Sequence, residues 1–142
     1  MADPGALTVG KTVTSAAMRL TRDAAINFAK EFDPQPMHLD DAAAKASFFG
    51  TLAASGWHAL ALTMRLAVET RPFGDQPLIG AEISQIRFTR PILPETNLTV
   101  SITFEAVEEG KGQHGYNILR VLTLDAATGE VLIRQHWRML RT

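Results

Sequence analysis

The chain has 142 residues, no cysteine, and a net charge of −1 from 14 lysines and arginines against 15 aspartates and glutamates. That length suits one domain around one hydrophobic core. The missing thiols exclude disulfides, thiolate metal ligands and a cysteine nucleophile, and the balanced charge supplies no global field for nucleic acid or an anionic membrane.

With 46% hydrophobic and 20% charged residues the composition is that of a chain that folds throughout. No repeat or linker interrupts it, so residues 1–142 read as a single domain. Met1 to Gly10 lacks the basic and apolar regions of a secretory signal, and a cytoplasmic location is expected. The span Ala46 to Met64 carries no Asp, Glu, Lys or Arg. Its Ser47, Gly50, Thr51, Ser55, Gly56, His58 and Thr63 argue against a membrane span and for a helix buried in a soluble core.

In chain order, Val9 to Leu20 reads as a first strand, and Thr21 as the N-cap of a helix over Arg22 to Phe32. Pro34 biases Asp33 away from helical geometry and Pro36 does the same to Gln35, so Asp33 to His38 is expected as a stiff, partly extended loop. A short helix over Asp40 to Ala46 follows. A long central helix over Thr51 to Thr70 comes next, with Trp57, Leu60, Met64 and Ala67–Val68 at helical spacing.

The period then changes. Leu98, Val100, Ile102, Phe104 and Ala106 alternate as in a half-buried strand. Further strands are expected over Leu78 to Phe88, His114 to Leu124 and Val131 to Leu140, with turns at Gly110–Gly115 and Asp125–Gly129. The prediction is α+β: five strands, the last four a meander, wrapped around the long helix. Core candidates are Leu60, Met64, Val100, Ile102, Phe104, Ile118, Leu122, Val131 and Ile133.

The segment Asp33-Pro34-Gln35-Pro36-Met37-His38 holds an acid and an imidazole on one proline-stiffened loop. A carboxylate and a histidine that share a water divide the work of adding it across a double bond, one taking its proton and the other supplying one to carbon. An arbitrary Asp/His pair more often caps or packs, so context has to raise the functional reading. Ala54-Ser55-Gly56 supplies context: small residues at a helix start leave backbone N–H groups free to receive an oxyanion, although a glycine there equally serves close packing.

These residues resemble the MaoC-like dehydratases, which include the (R)-specific enoyl-CoA hydratases and have the hot-dog fold. The family's Asp, any residue, Asn, Pro, aliphatic, His motif is matched by Asp33 to His38, with Gln35 in place of Asn. Ala54-Ser55-Gly56 matches its small-residue stretch, and Phe88-Thr89-Arg90-Pro91 its aromatic-basic-Pro segment. The resemblance implies that Asp33 and His38 are the acid–base pair and Gly56 N–H the oxyanion donor. Gln35, Ser55, Trp57 and Arg90 are the expected substrate contacts, and Gln35 has the donors and acceptors to replace Asn.

The implied substrate is an acyl-CoA or acyl-carrier thioester, the implied reaction reversible hydration of a 2-enoyl thioester, and the implied assembly a homodimer or larger homo-oligomer with sheets joined side by side. No cofactor is expected, and four dispersed histidines without HExxH spacing give no metal site. A hot-dog thioesterase is disfavoured because Thr51 to Val68 contains no acid. A non-catalytic acyl-binding subunit stays open. His58, His114 and His136, the last among Arg134, Arg138 and Arg141, are read as structural or solvated.

Overall fold

Thr21 caps the first helix as predicted: its hydroxyl accepts the Ala24 N–H at 3.2 Å, and α1 runs Arg22–Phe32. The computed structural model describes residues 5–110, 112 and 114–142; of the glycine-rich turn, Lys111 and Gln113 lie outside them. Before α1, the expected strand is two short ones, β1 (Thr12–Thr14) and β2 (Met18–Leu20). Ser15–Ala17 separates them, and Ser15 bonds Val100 through both its backbone and its hydroxyl.

After α1 come the single turn α2 (Pro36–Leu39), then α3 (Asp41–Lys45) and α4 (Gly56–Glu69). Asp40 caps α3 through its carboxylate, which accepts the Ala43 N–H at 2.9 Å. The expected start of α4 at Thr51 is corrected. Residues 51–55 stay extended because Ala53 N–H donates to Met37 and Ala54 N–H to Ile92, bonds that a helix would use internally.

The strands β3 (Gly80–Phe88), β4 (Thr96–Glu108), β5 (Tyr116–Asp125) and β6 (Val131–Leu140) complete an antiparallel sheet of order β1-β4-β5-β6-β3, with β2 also on β4. The broken first strand thus fills one of five places. The meander is overturned: β3 pairs with β6 at the far edge, and Thr89–Glu95 crosses the end of the sheet to reach β4. That crossing carries Arg90 to Ile92 past the start of α4, where Ile92 C=O accepts from Ala54.

One sheet face packs on α4, the hot-dog arrangement. Leu98, Val100, Ile102 and Phe104 of β4, Leu119 and Val121 of β5, and Ile133, Trp137 and Met139 of β6 are buried against Ala59, Leu66 and Ala67. Leu60 and Met64 are half-buried beside them. On β5 the expected face is wrong. Ile118 and Leu122 point outward and are half-exposed, Val131 of β6 is half-exposed too, and the inward residues include Asn117 and Thr123. Thr123 is admitted to the core because its hydroxyl lies 2.6 Å from that of Thr63 on α4.

Candidate active site

Asp33 is the residue on which α1 stops. Its N–H donates to Ala29 at 2.9 Å, its φ of −153° is extended, and Pro34 prevents another helical turn. The chain re-enters a helix at Pro36, whose fixed φ suits a first helical position, so the expected loop is extended at its start and helical at its end. This single turn delivers His38, 6% exposed, back toward Asp33.

His38 Nδ1 lies 2.6 Å from the Ala53 carbonyl oxygen. A carbonyl can only accept, so Nδ1 carries the hydrogen and Nε2 is the nitrogen free to take or give a proton. Nε2 faces Asp33 Oδ2 at 3.3 Å. Asp33 Oδ1 accepts from Gln35 Nε2 at 2.6 Å and Oδ2 from Ser55 Oγ at 2.7 Å. Burial pushes the Asp33 carboxyl up, but the bonds from Gln35 and Ser55 and the charge of His38 outweigh it and leave the group below its ordinary value.

Ser55 is fully buried and does two tasks. Its hydroxyl donates to Asp33 and accepts the Trp57 N–H at 3.3 Å, capping α4. Gly56, the first residue of α4, therefore starts the helix beside the acid, and its N–H has no intrahelical acceptor. A Cβ at Gly56 would overlap the Phe88 ring, so glycine is what lets β3 and α4 meet here.

A cavity of about 430 Å³ opens on this arrangement. Of the residues singled out in the sequence, Asp33, His38, Gly56, Trp57 and Arg90 line it. Gln35 and Ser55 do not; each donates a side-chain hydrogen bond to Asp33. The apolar walls are Phe48, Phe49, Ala53, Ala54, Phe88 and Ile92. Phe48 and Phe49 had no assigned role in the sequence, and adjacent aromatics between the short α3 and the long α4 were the available signal.

Arg90 Nε approaches Glu130 Oε2 at 3.4 Å at the exposed rim. His58 is buried and stacks on Phe28, off the cavity wall. His114 is exposed against the Arg141 carbonyl, and Arg138 pairs with Glu108. Among the described residues no group of three or more His, Asp or Glu is placed to hold a metal ion.

The pair therefore presents an ionised carboxylate and an imidazole of fixed tautomer to one point in an apolar cavity, next to a helix N-terminus. A water held there is flanked by a group that accepts its proton and a group that exchanges one, while an electron-rich oxygen at Gly56 meets free N–H and the positive end of the helix dipole.

Comparison with known proteins gives the family and the fold. The chain is 32% identical over 121 residues to YdeM, an uncharacterised protein of Bacillus subtilis, covering 85% of this chain and 82% of the relative. A MaoC-like dehydratase structure from Rhodospirillum rubrum superposes with a TM-score of 0.88 at 39% identity, covering 94% of this chain and 92% of that one. The R-hydratase PhaJ1 of Pseudomonas aeruginosa superposes at 0.69 with 25% identity, covering 94% and 81%. Residues 6–126 match the sequence profile described as the MaoC like domain, and the chain belongs to that family.

Proposed function

We propose that this protein is a hydro-lyase that reversibly adds water to a 2-enoyl thioester, carried on CoA or a carrier protein, giving the 3-hydroxyacyl thioester. The observation that carries the proposal is the convergence of His38 Nε2 and Asp33 Oδ2, 3.3 Å apart, in a cavity that also contains Gly56 at the head of α4. In the forward direction the Asp33 carboxylate takes a proton from water as the oxygen bonds C3. His38, protonated at Nε2, gives a proton to C2. The proton then passes from Asp33 to His38 across their contact and restores the pair, so the water is consumed and nothing else is needed.

The charge that develops on the thioester oxygen during addition is received by the Gly56 N–H. The aromatic and alanine walls receive the acyl chain, and Arg90 at the rim meets the phosphate-bearing end of the carrier arm. We also propose a homodimer. The edge strand β3 leaves Ile83, Ile86 and Phe88 substantially exposed, with Trp57 64% exposed on α4, and an apolar open edge of this kind is a surface that a second strand covers. No helix among the described residues is long and apolar enough to cross a membrane.

The test is the loss of the enoyl-thioester absorbance when purified protein meets a panel of 2-enoyl-CoA substrates beginning with crotonyl-CoA. Turnover by the wild type that disappears in Asp33→Asn and His38→Ala supports the assignment. No turnover at any chain length, with retained binding of acyl-CoA, replaces the enzyme with a binding subunit.

A further inference from the structure

The acid and the oxyanion donor belong to different elements: Asp33 follows the last residue of α1, and Gly56 is the first residue of α4. Their spacing depends on how those two helices sit against each other. The α1 face turned to the core is built from Ala25 and Ala29, both fully buried, and methyl groups give close approach without fixing rotation. The directional contacts lie elsewhere. Phe28 of α1 stacks on His58 of α4 with centroids 4.8 Å apart and planes 8° from parallel. Phe28 also packs on Phe32, the neighbour of Asp33, at 5.1 Å. This aromatic column runs from the residue before the acid to the first turn of α4.

Resting on the hydration reading above, we infer that His58 is a positioning residue for the catalytic acid: its ring on Phe28 fixes the rotation of α1, and thereby keeps the Asp33 carboxylate on Ser55 and facing His38. Because Asp33 N–H is bonded to Ala29, any rotation of α1 carries Asp33 with it. Ser55 is the other link, and it holds only if Asp33 arrives within reach of its hydroxyl. His58 Nδ1 is buried without a hydrogen-bond partner among the described residues and the ring stacks on Phe28, so the imidazole serves here as a flat, neutral ring. Burial lowers its affinity for a proton, which keeps it so near neutral pH.

The experiment compares His58→Ala, His58→Phe and Phe28→Leu with the wild type, reading kcat and KM on the best 2-enoyl-CoA together with the Asp33 carboxyl titration by NMR. A displacement on the order of 1 Å in a catalytic group costs up to about 100-fold. His58→Ala and Phe28→Leu are therefore expected to lower kcat at least tenfold with KM within about twofold. They should also raise the Asp33 pKa, because the displaced carboxylate loses the Ser55 hydrogen bond that helps hold it down. His58→Phe, which restores the stack, should return both readouts to near wild type.

Unchanged kcat and Asp33 titration in His58→Ala overturn the inference. So does a His58→Phe variant as impaired as His58→Ala, because the imidazole nitrogens rather than the stack would then be what matters. If the wild type turns over no thioester, the hydration reading fails by itself, and the Asp33 titration still decides whether His58 positions Asp33. Phe28→Leu guards against an unfolded His58→Ala, since it breaks the same contact from the other helix.

Discussion

A carboxylate in the wall of an apolar cavity loses water, and burial by itself would raise the Asp33 pKa; the Gln35 amide and the Ser55 hydroxyl reverse that, with His38 adding to them. Gln35→Ala removes one of the two donors to the charged form, so the Asp33 pKa rises. If ionised Asp33 is the required form, the acidic limb of the kcat/KM profile moves to higher pH in this variant, with the neutral-pH plateau largely kept; initial rates from acid to neutral pH check it. A limb that stays in place removes Asp33 from that titration. Asp33→Asn keeps the size of the side chain but loses the charge and one of the two acceptor oxygens; if Asp33 is the base, kcat should fall about 10²- to 10⁴-fold while circular dichroism stays that of the wild type. The acid and the histidine were legible in the sequence because two prolines hold them on one short stretch. The partner of Asp33 on Ser55 was not, because 22 residues separate them and only the packing of α4 on α1 brings them together.

At the scale of elements, α1 was legible to its last residue through Thr21 and Pro34, whereas α4 was drawn five residues too long at its start. Apolarity without charge marks burial rather than helicity, and Ala53 and Ala54 are buried as extended chain bonded to Met37 and Ile92. The face of β5 was misread for a related reason: both of its faces are rich in aliphatics, and what faces α4 is decided by a hydroxyl pair. Thr63 Oγ1 donates to Ala59 C=O at 2.7 Å, which leaves Thr123 as the donor to Thr63 across 2.6 Å, both residues fully buried. Thr63→Val strands the Thr123 hydroxyl and should cost about 1–3 kcal/mol of unfolding free energy, and adding Thr123→Val should recover part of it. Denaturant titrations of the two singles and the double give the coupling; additive losses would mean that the hydroxyls do not act as a pair. The contact between α1 and α4 carries a pH signature of its own. Burial lowers the His58 pKa below its ordinary 6.5, so the unfolded chain binds the proton more readily. This contribution to stability is whole above 6.5 and is lost as pH falls below it toward the folded-state value. The wild type should therefore lose stability relative to His58→Phe across that window, and parallel curves for the two would place the His58 pKa at its unfolded value.

For the whole molecule, the sheet order is what places the site. Consecutive strands pair more often than not, which is why β3 and β4 read as neighbours, yet β3 lies across the sheet on β6 and the connection Thr89–Glu95 spans the sheet end. Nothing in the alternation of β3 reports this. As an edge strand with irregularities between Gly80 and Glu82 and between Ser84 and Arg87, it shows no buried face of its own. Its exposure has the opposite meaning from that of a solvated strand. Ile83 is the register partner of buried Trp137 and Phe88 that of buried Ile133, so both point to the α4 side of the sheet; Phe88 meets Gly56 at the head of α4, yet both side chains stay exposed. Phe88 and the two residues after it line the cavity. A second copy pairing along β3 would cover Ile83 and close the cavity wall at the same time, which ties assembly to activity. Light scattering should then give the wild type twice the chain mass of 15.5 kDa, and Ile83→Lys should give 15.5 kDa, because a lysine facing the seam is held there without water or a counter-charge. The same variant should lose most of its turnover even though Ile83 touches no substrate, with its circular dichroism unchanged. A wild type that scatters as a 15.5 kDa particle at working concentration refutes the dimer, and a monomeric Ile83→Lys with full turnover would mean that one chain completes the site alone.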